Sequence, residues 1–232
     1  MGQSFTVLLL LSSILTFVMQ ATESALLICF NNSLLSYGGN IAVGSMTIIS
    51  STSMFMVLPL QGIGQGARPI VSYSYGAENT ERVKKAFSLL LKVSFGWSAI
   101  FWILLQGFPQ VFASIFTTDP TLLSFTKTTS RIYFGGMGLM GIQMACQMTS
   151  VSLGRAKESI IVASVRKLVL LIPLIYLMPI LMPQNKTRAV FLAEPIADIA
   201  AITFTVILFV TRFRKILARD HQIRNPRRTL RS

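Results

Sequence analysis

Long apolar runs separated by short polar breaks dominate the chain, and the breaks fall where helix-ending residues cluster. Each run approaches or exceeds the ~20 mostly apolar residues that a helix needs to cross a bilayer. Six spanning helices are predicted, over roughly Phe5–Ser36, Ile41–Gln65, Thr80–Phe108, Asp119–Leu153, Lys157–Leu177 and Arg188–Phe209. Tyr37, Gly38, Gly39 and Asn40 end the first run with a strong helix stop. Thr80 is placed to cap the third. Thr118, Asp119 and Pro120 open the fourth as a cap followed by proline. Pro173 and Pro195 fall inside the fifth and sixth. From Thr211 onward the chain turns basic and polar, which predicts a short fraying helix on the cytoplasmic side. Residues 1–213 thus read as one six-helix bundle and 214–232 as a basic cytoplasmic tail.

Composition agrees with a multi-pass, all-α integral membrane protein. Of the 232 residues 52% are hydrophobic and only 12% charged, about half the charged share of a soluble domain. The N-terminal run lacks a basic leader and continues past Glu23, so it reads as a span rather than a cleaved signal. Cys29 and Cys146 sit in apolar segments and His221 is the sole histidine. Neither a disulfide framework nor a zinc site fits that distribution. No phosphate-binding glycine loop and no nucleophile constellation is present, so the reading is not an enzyme, with no cofactor.

The net charge of +13 is distributed by loop. Arg68, Arg82, Lys84 and Lys85 follow the second span. Arg155, Lys157, Arg166 and Lys167 follow the fourth, and the tail carries the densest set, from Arg212 to Arg231. Short Lys- and Arg-rich loops stay in the cytoplasm, so both termini are expected there, which an even number of spans requires. The opposite side holds mainly Lys127, Arg131, Lys186 and Arg188. With no nucleic-acid motif alongside, the basic balance is topogenic and the expected partner is the lipid bilayer, not nucleic acid. Asn185, Lys186 and Thr187 form a glycosylation sequon in an outer loop.

One stretch stands apart. Residues 60–80 read LQGIGQGARPIVSYSYGAENT. Gly62, Gly64 and Gly66 permit close backbone approach or unwinding. Pro69 disfavours helical geometry at Arg68. The second span is therefore expected to leave the membrane here as an irregular turn, with Tyr73 and Tyr75 at headgroup depth.

The run GIGQGARPIVSYSYGAENTERVKKAF resembles the cytoplasmic loop of the multidrug and toxic compound extrusion (MATE) family, whose pattern is matched by Gly62, Gln65, Gly66, Pro69, Gly76 and Ala77. A second block, residues 147–179, is similar to the family's connection between the fourth and fifth helices of its C-terminal lobe. A third, AEPIADIAA at 193–201, is similar to the start of that lobe's last helix. The blocks occur in the family's order, and the resemblance runs from about Phe5 to Phe213.

The resemblance implies the C-terminal six-helix lobe only, of a transporter with two such lobes. It implies efflux of organic cations or drugs across the plasma (inner) membrane in exchange for H+ or Na+. One wall of the central cleft would come from this chain and the other from a second copy or a separately encoded N-terminal lobe. Gly62, Gln65, Gly66, Arg68, Pro69 and Gly76 would serve as connection and gate. The alternative is a truncated, non-transporting membrane protein or a scaffold subunit. A lipid-linked sugar flippase fits the loop motif less well.

Carboxylates inside spans supply the candidate chemistry, because a charge near the bilayer centre must face protein or water. Glu23 lies among Gln20, Thr22 and Ser24, fifteen residues before Gly38. That position resembles a cation-site glutamate of sodium-coupled family members. Its aspartate partner on the fourth helix has no counterpart after Asp119, so a complete sodium site is not supported. Glu23 either couples ions or serves as a hydrogen-bonded structural group. Glu194 and Asp198 are one turn apart on one helix face, with Pro195 between them. They could equally be an interface-level pair near the outer end, meeting Arg188 or Lys186. Gln143 and Gln147, with Met144 and its neighbouring methionines, either line a cargo cleft or pack the bundle.

Overall fold

The computed structural model describes residues 2–154 and 170–224. Among these residues the chain is helical with short turns and no strand. The first helix, α1 (Gly2–Gly76), is two arms joined at Gly39. Gly39 sits at φ 63°, ψ −160°, a region essentially confined to glycine. The chain reverses there within one residue, as the Gly38-Gly39 stop predicts. The tight side of this turn is closed by the chain at Thr187, because a Cβ on Gly38 would lie 2.6 Å from Thr187 Cγ2. The Thr187 hydroxyl donates to the Tyr37 carbonyl at 2.8 Å.

Next come α2 (Thr80–Gly107), α3 (Pro109–Ser114) and α4 (Pro120–Tyr133). A 3-10 turn (Phe134–Leu139) joins α4 to α5 (Met140–Ser152). Then follow α6 (Ile172–Leu181), a second 3-10 turn (Pro183–Asn185) and α7 (Lys186–Arg224). Asp119 caps α4 as predicted, accepting from the Thr121 amide at 2.8 Å, with Pro120 in the first turn. The cap of α2 is Asn79 rather than Thr80; its Oδ1 accepts from the Arg82 amide at 3.0 Å, worth about 1 kcal/mol. The fifth predicted span begins outside the described residues, and α6 ends at Leu181, beyond the predicted Leu177. The helix expected to begin near Thr211 is a continuation of α7, unbroken to Arg224.

The 60–80 stretch departs most from expectation. The second arm of α1 stays helical through Pro59 and Pro69 to Gly76. The turn is confined to Ala77–Asn79, with Glu78 at φ 53°. Pro69 frees the carbonyl of Gln65. Both residues are exposed, so that acceptor is open to surrounding polar groups and the helix need not break. Tyr73 and Tyr75 are exposed, as an interfacial position requires.

Among the described residues three helices are long and apolar enough to cross a membrane: Ala21–Gly76, which holds the Gly39 reversal, Thr80–Gly107 and Pro183–Thr211. Ile172–Leu181 is apolar and shorter. With the two arms of α1 taken separately and α4 joined to α5, the described helices make six rods. Phe30 and Leu34 of the first arm, Met46, Ile49 and Met56 of the second, Leu105, Phe134, Ile175 and Phe191 build one core. Some hydroxyls inside the rods are satisfied locally: Thr52, Ser53 and Thr205 each donate to the carbonyl four residues back, which lets them sit in apolar surroundings at little cost.

The rods bring four helix ends together at one end of the bundle. Val71, Val83 and Leu153 form a small cluster there, the Ser72 hydroxyl donates to the Ser152 carbonyl, and Phe87 stacks on Phe209 at 4.8 Å. The end of α1, the start of α2, the end of α5 and the late part of α7 therefore lie together. The Gly39 turn and Thr187 mark the opposite end.

Candidate functional site

The fourth rod is broken at mid-length, and the break organises its surroundings. Gly135, Gly136 and Gly138 fall within six residues, and the backbone tightens there from α to 3-10. Such a change displaces carbonyls from their usual partners. Helix α2 meets them with side chains spaced one turn apart. Ser98 Oγ donates to the Gly138 carbonyl at 2.9 Å, Trp102 Nε1 to Phe134 at 2.9 Å, and Gln106 Nε2 to Arg131 at 3.1 Å. A Cβ on Gly141 would fall on the Ser94 carbonyl, and one on Gly138 would lie 3.1 Å from the Trp102 ring. The glycines thus set α2 against the broken rod at backbone distance.

On its other side the break meets α7. A Cβ on Gly136 would lie 3.1 Å from the Pro195 carbonyl oxygen and 3.2 Å from Asp198 Cβ. Glu194 and Asp198 are both buried, at 7% and 3% exposure. Two carboxyls one turn apart therefore enter the bundle beside an irregular backbone segment. Pro195 between them removes a helical donor and frees the carbonyl of Phe191. Irregular backbone is tolerated at membrane depth only inside protein or along a water-filled cavity. The two buried carboxyls, the proline and the 3-10 turn make this the polar centre of the lobe.

The other predicted residues are dispersed. Glu23 is half-buried on the first arm, and the side chain of Gln20 lies outside what the structure describes. Among the described residues no three of His, Cys, Asp and Glu gather as a metal-binding group. Gln143 is buried, while Gln147 and Met144 are half-buried. Met144 packs on the core. Met148, one turn on, lies against the second arm, where a Cβ on Gly64 would come within 2.6 Å of its Cγ. Gly62, Gln65, Gly66, Arg68, Pro69 and Gly76 are all exposed. Lys186, considered as a partner for Glu194, instead sits 5.4 Å from the centre of the Tyr37 ring. Cys146 is buried and Cys29 half-buried, both as free thiols. The sequence reading missed the backbone break and the α2 ladder. The signal for both was the spacing of Ser98, Trp102 and Gln106 opposite a glycine-rich run.

A helical lobe with apolar rods and buried carboxyls beside a helix break fits a membrane transporter. The MatE family profile matches residues 12–177, and the chain belongs to that family of membrane transporters. It is similar to a "FAD transporter" of Shewanella oneidensis, with 26% identity over 133 residues, covering 57% of this chain and 29% of that protein. Among solved structures it superposes on an outward-facing multidrug resistance MATE transporter of the MOP superfamily with a TM-score of 0.80. The identity there is 17%, with 88% of this chain and 46% of that one covered. A MOP-superfamily transporter from Pyrococcus furiosus, whose binding pocket is described as reversed in polarity, gives a TM-score of 0.77 at 18% identity, over 88% and 45% of the two chains. A MATE structure in the bent conformation gives 0.82 at 17% identity, over 90% and 46%. The chain thus spans less than half the length of the relatives it matches.

Proposed function

We propose that the chain supplies the C-terminal-lobe half of a MATE-type antiporter in the plasma (inner) membrane. It forms one wall of a central cleft and exports organic cations or drugs in exchange for H+ or Na+. The opposite wall comes from an N-terminal lobe or a second copy. The observation that carries this reading is the buried Glu194 and Asp198 pair packed on the 3-10 break. Buried carboxyls that change protonation or bind a cation alter the charge beside a deformable backbone segment, which is what coupling needs. Glu23, half-buried on the first arm, is the second candidate for that role.

Dye efflux from cells lacking their own pumps tests it, with the chain expressed alone and with a matching N-terminal lobe. Efflux is expected with both lobes, and Asp198→Asn is expected to reduce it to background at an unchanged membrane level. Efflux by the chain alone would indicate pairing of two copies. No efflux of either kind, from protein present in the membrane, would return the chain to a non-transporting scaffold. The similarity to a FAD transporter favours a second reading, in which the cargo is an anionic dinucleotide. FAD release without dye efflux would select it.

A further inference from the structure

We propose that a groove at the outer end of α2, α3 and α4 binds the phosphate headgroup of an anionic phospholipid. The groove has a volume of about 440 Å³, and its walls include Phe108, Gln110, Val111, Ser114, Lys127 and Arg131. Among the described residues no carboxylate lines it. Lys127 and Arg131 are one helical turn apart, so both cations address the same space.

Depth decides what kind of anion meets them. Helix α2 has 28 residues and is about 42 Å long at 1.5 Å per residue. That matches a bilayer of about 40–45 Å including headgroups. Its two ends therefore lie in the two headgroup layers. The Gln106 amide donates to the Arg131 carbonyl at 3.1 Å, which holds Arg131 level with the outer end of α2. Trp102, one turn deeper, is half-buried in the zone where indoles settle. Phe108 is 61% and Val111 58% exposed, which gives the groove an apolar wall beside its two cations.

The cations also need a reason to be on this side. The far end of α2 carries Arg82, Lys84 and Lys85, so Lys127 and Arg131 run against the bias that orients the chain. Lys186, another outer cation, is engaged by the Tyr37 ring. Lys127 and Arg131 instead share an open groove with an apolar flank, and a phospholipid matches both chemistries at once. A dissolved phosphate would use the cations alone.

Bromine-quenching of tryptophan fluorescence reads this site directly. The chain has two tryptophans, Trp97 and Trp102, both on α2. The full 232-residue chain is reconstituted in vesicles mixing phosphatidylglycerol and phosphatidylcholine, with one or the other carrying brominated acyl chains. Phosphatidylglycerol is expected to be preferred. Lys127→Gln and Arg131→Gln should each lower the relative binding constant about fivefold, and the pair about 30-fold, the equivalent of about 1 kcal/mol per cation. Lys127→Arg should keep the preference, as should Lys84→Gln with Lys85→Gln at the other end. Gln110→Arg, on an exposed position, should raise it, which tests the site without removing any contact. Equal quenching by the two lipids, or a preference that survives the double substitution, overturns the proposal. Release of the quenching by millimolar inorganic phosphate also overturns it, in favour of a free-phosphate site.

Discussion

Two glycine-rich segments of this chain behave in opposite ways. Residues 62–66, with glycine at every second position, remain in a regular helix that runs on through Pro69 to Gly76. Residues 134–139, whose glycines sit in an otherwise apolar span, leave α geometry, and with Gly141 just beyond they become the packing centre of the lobe. The difference lies in the neighbours. Around Gly62 and Gly66 there is open space, and only Gly64 meets another element, at Met148. Gly136, Gly138 and Gly141 each face α7 or α2 within close contact distance, and α2 offers donors for the displaced carbonyls. Glycine permits deformation; a partner that rewards the deformed backbone selects it.

Substitutions sharpen that contrast. The largest effect is expected at Gly141→Leu, because the side chain has to enter the space of the Ser94 backbone. Overpacking typically costs about 1–3 kcal/mol, and contact with main chain puts this case at the upper end. Denaturant titration in micelles, followed by tryptophan fluorescence, measures it; a loss below about 1 kcal/mol would mean α2 and α5 can separate freely. Trp102→Phe comes next. It keeps an aromatic ring, smaller than the indole, and removes the donor to Phe134, leaving an unsatisfied carbonyl in the bundle at about 1–3 kcal/mol. The smallest effect, and of opposite sign, belongs to Gly62→Ala and Gly66→Ala. Both sites are helical and open, so each is expected to gain up to about 1 kcal/mol. A clear loss of stability at either would contradict the regular helix.

The features of the fold that local chemistry decides were legible. The Gly39 reversal and the Asp119 cap with Pro120 follow from residues acting on their own backbone. Features that depend on another rod were not. Pro69 looked like a helix end because its local cost is visible in sequence, whereas the exposure of Gln65 that makes the freed carbonyl harmless is not. The 119–153 run reads as one continuous span, since apolar periodicity continues across residues 134–139 and the donors on Ser98 and Trp102 belong to a different helix. Phe108 and Pro109 marked an end, but the one-and-a-half-turn α3 beyond them is too short to carry a pattern. Glu194 was weighed as an outer-interface group. It lies eight residues into α7, about 12 Å along the axis, and is 7% exposed, a burial that the sequence alone does not show.

The reversal at Gly39 bears on how the chain is made. Because the two arms of α1 turn back within a single residue, no hydrophilic connection separates them that could emerge and wait on the far side. Neither arm can complete its crossing before the other has begun. During biosynthesis the first two spans should therefore enter the bilayer as a paired hairpin. Its tip would be delivered with the pair instead of being threaded ahead of it.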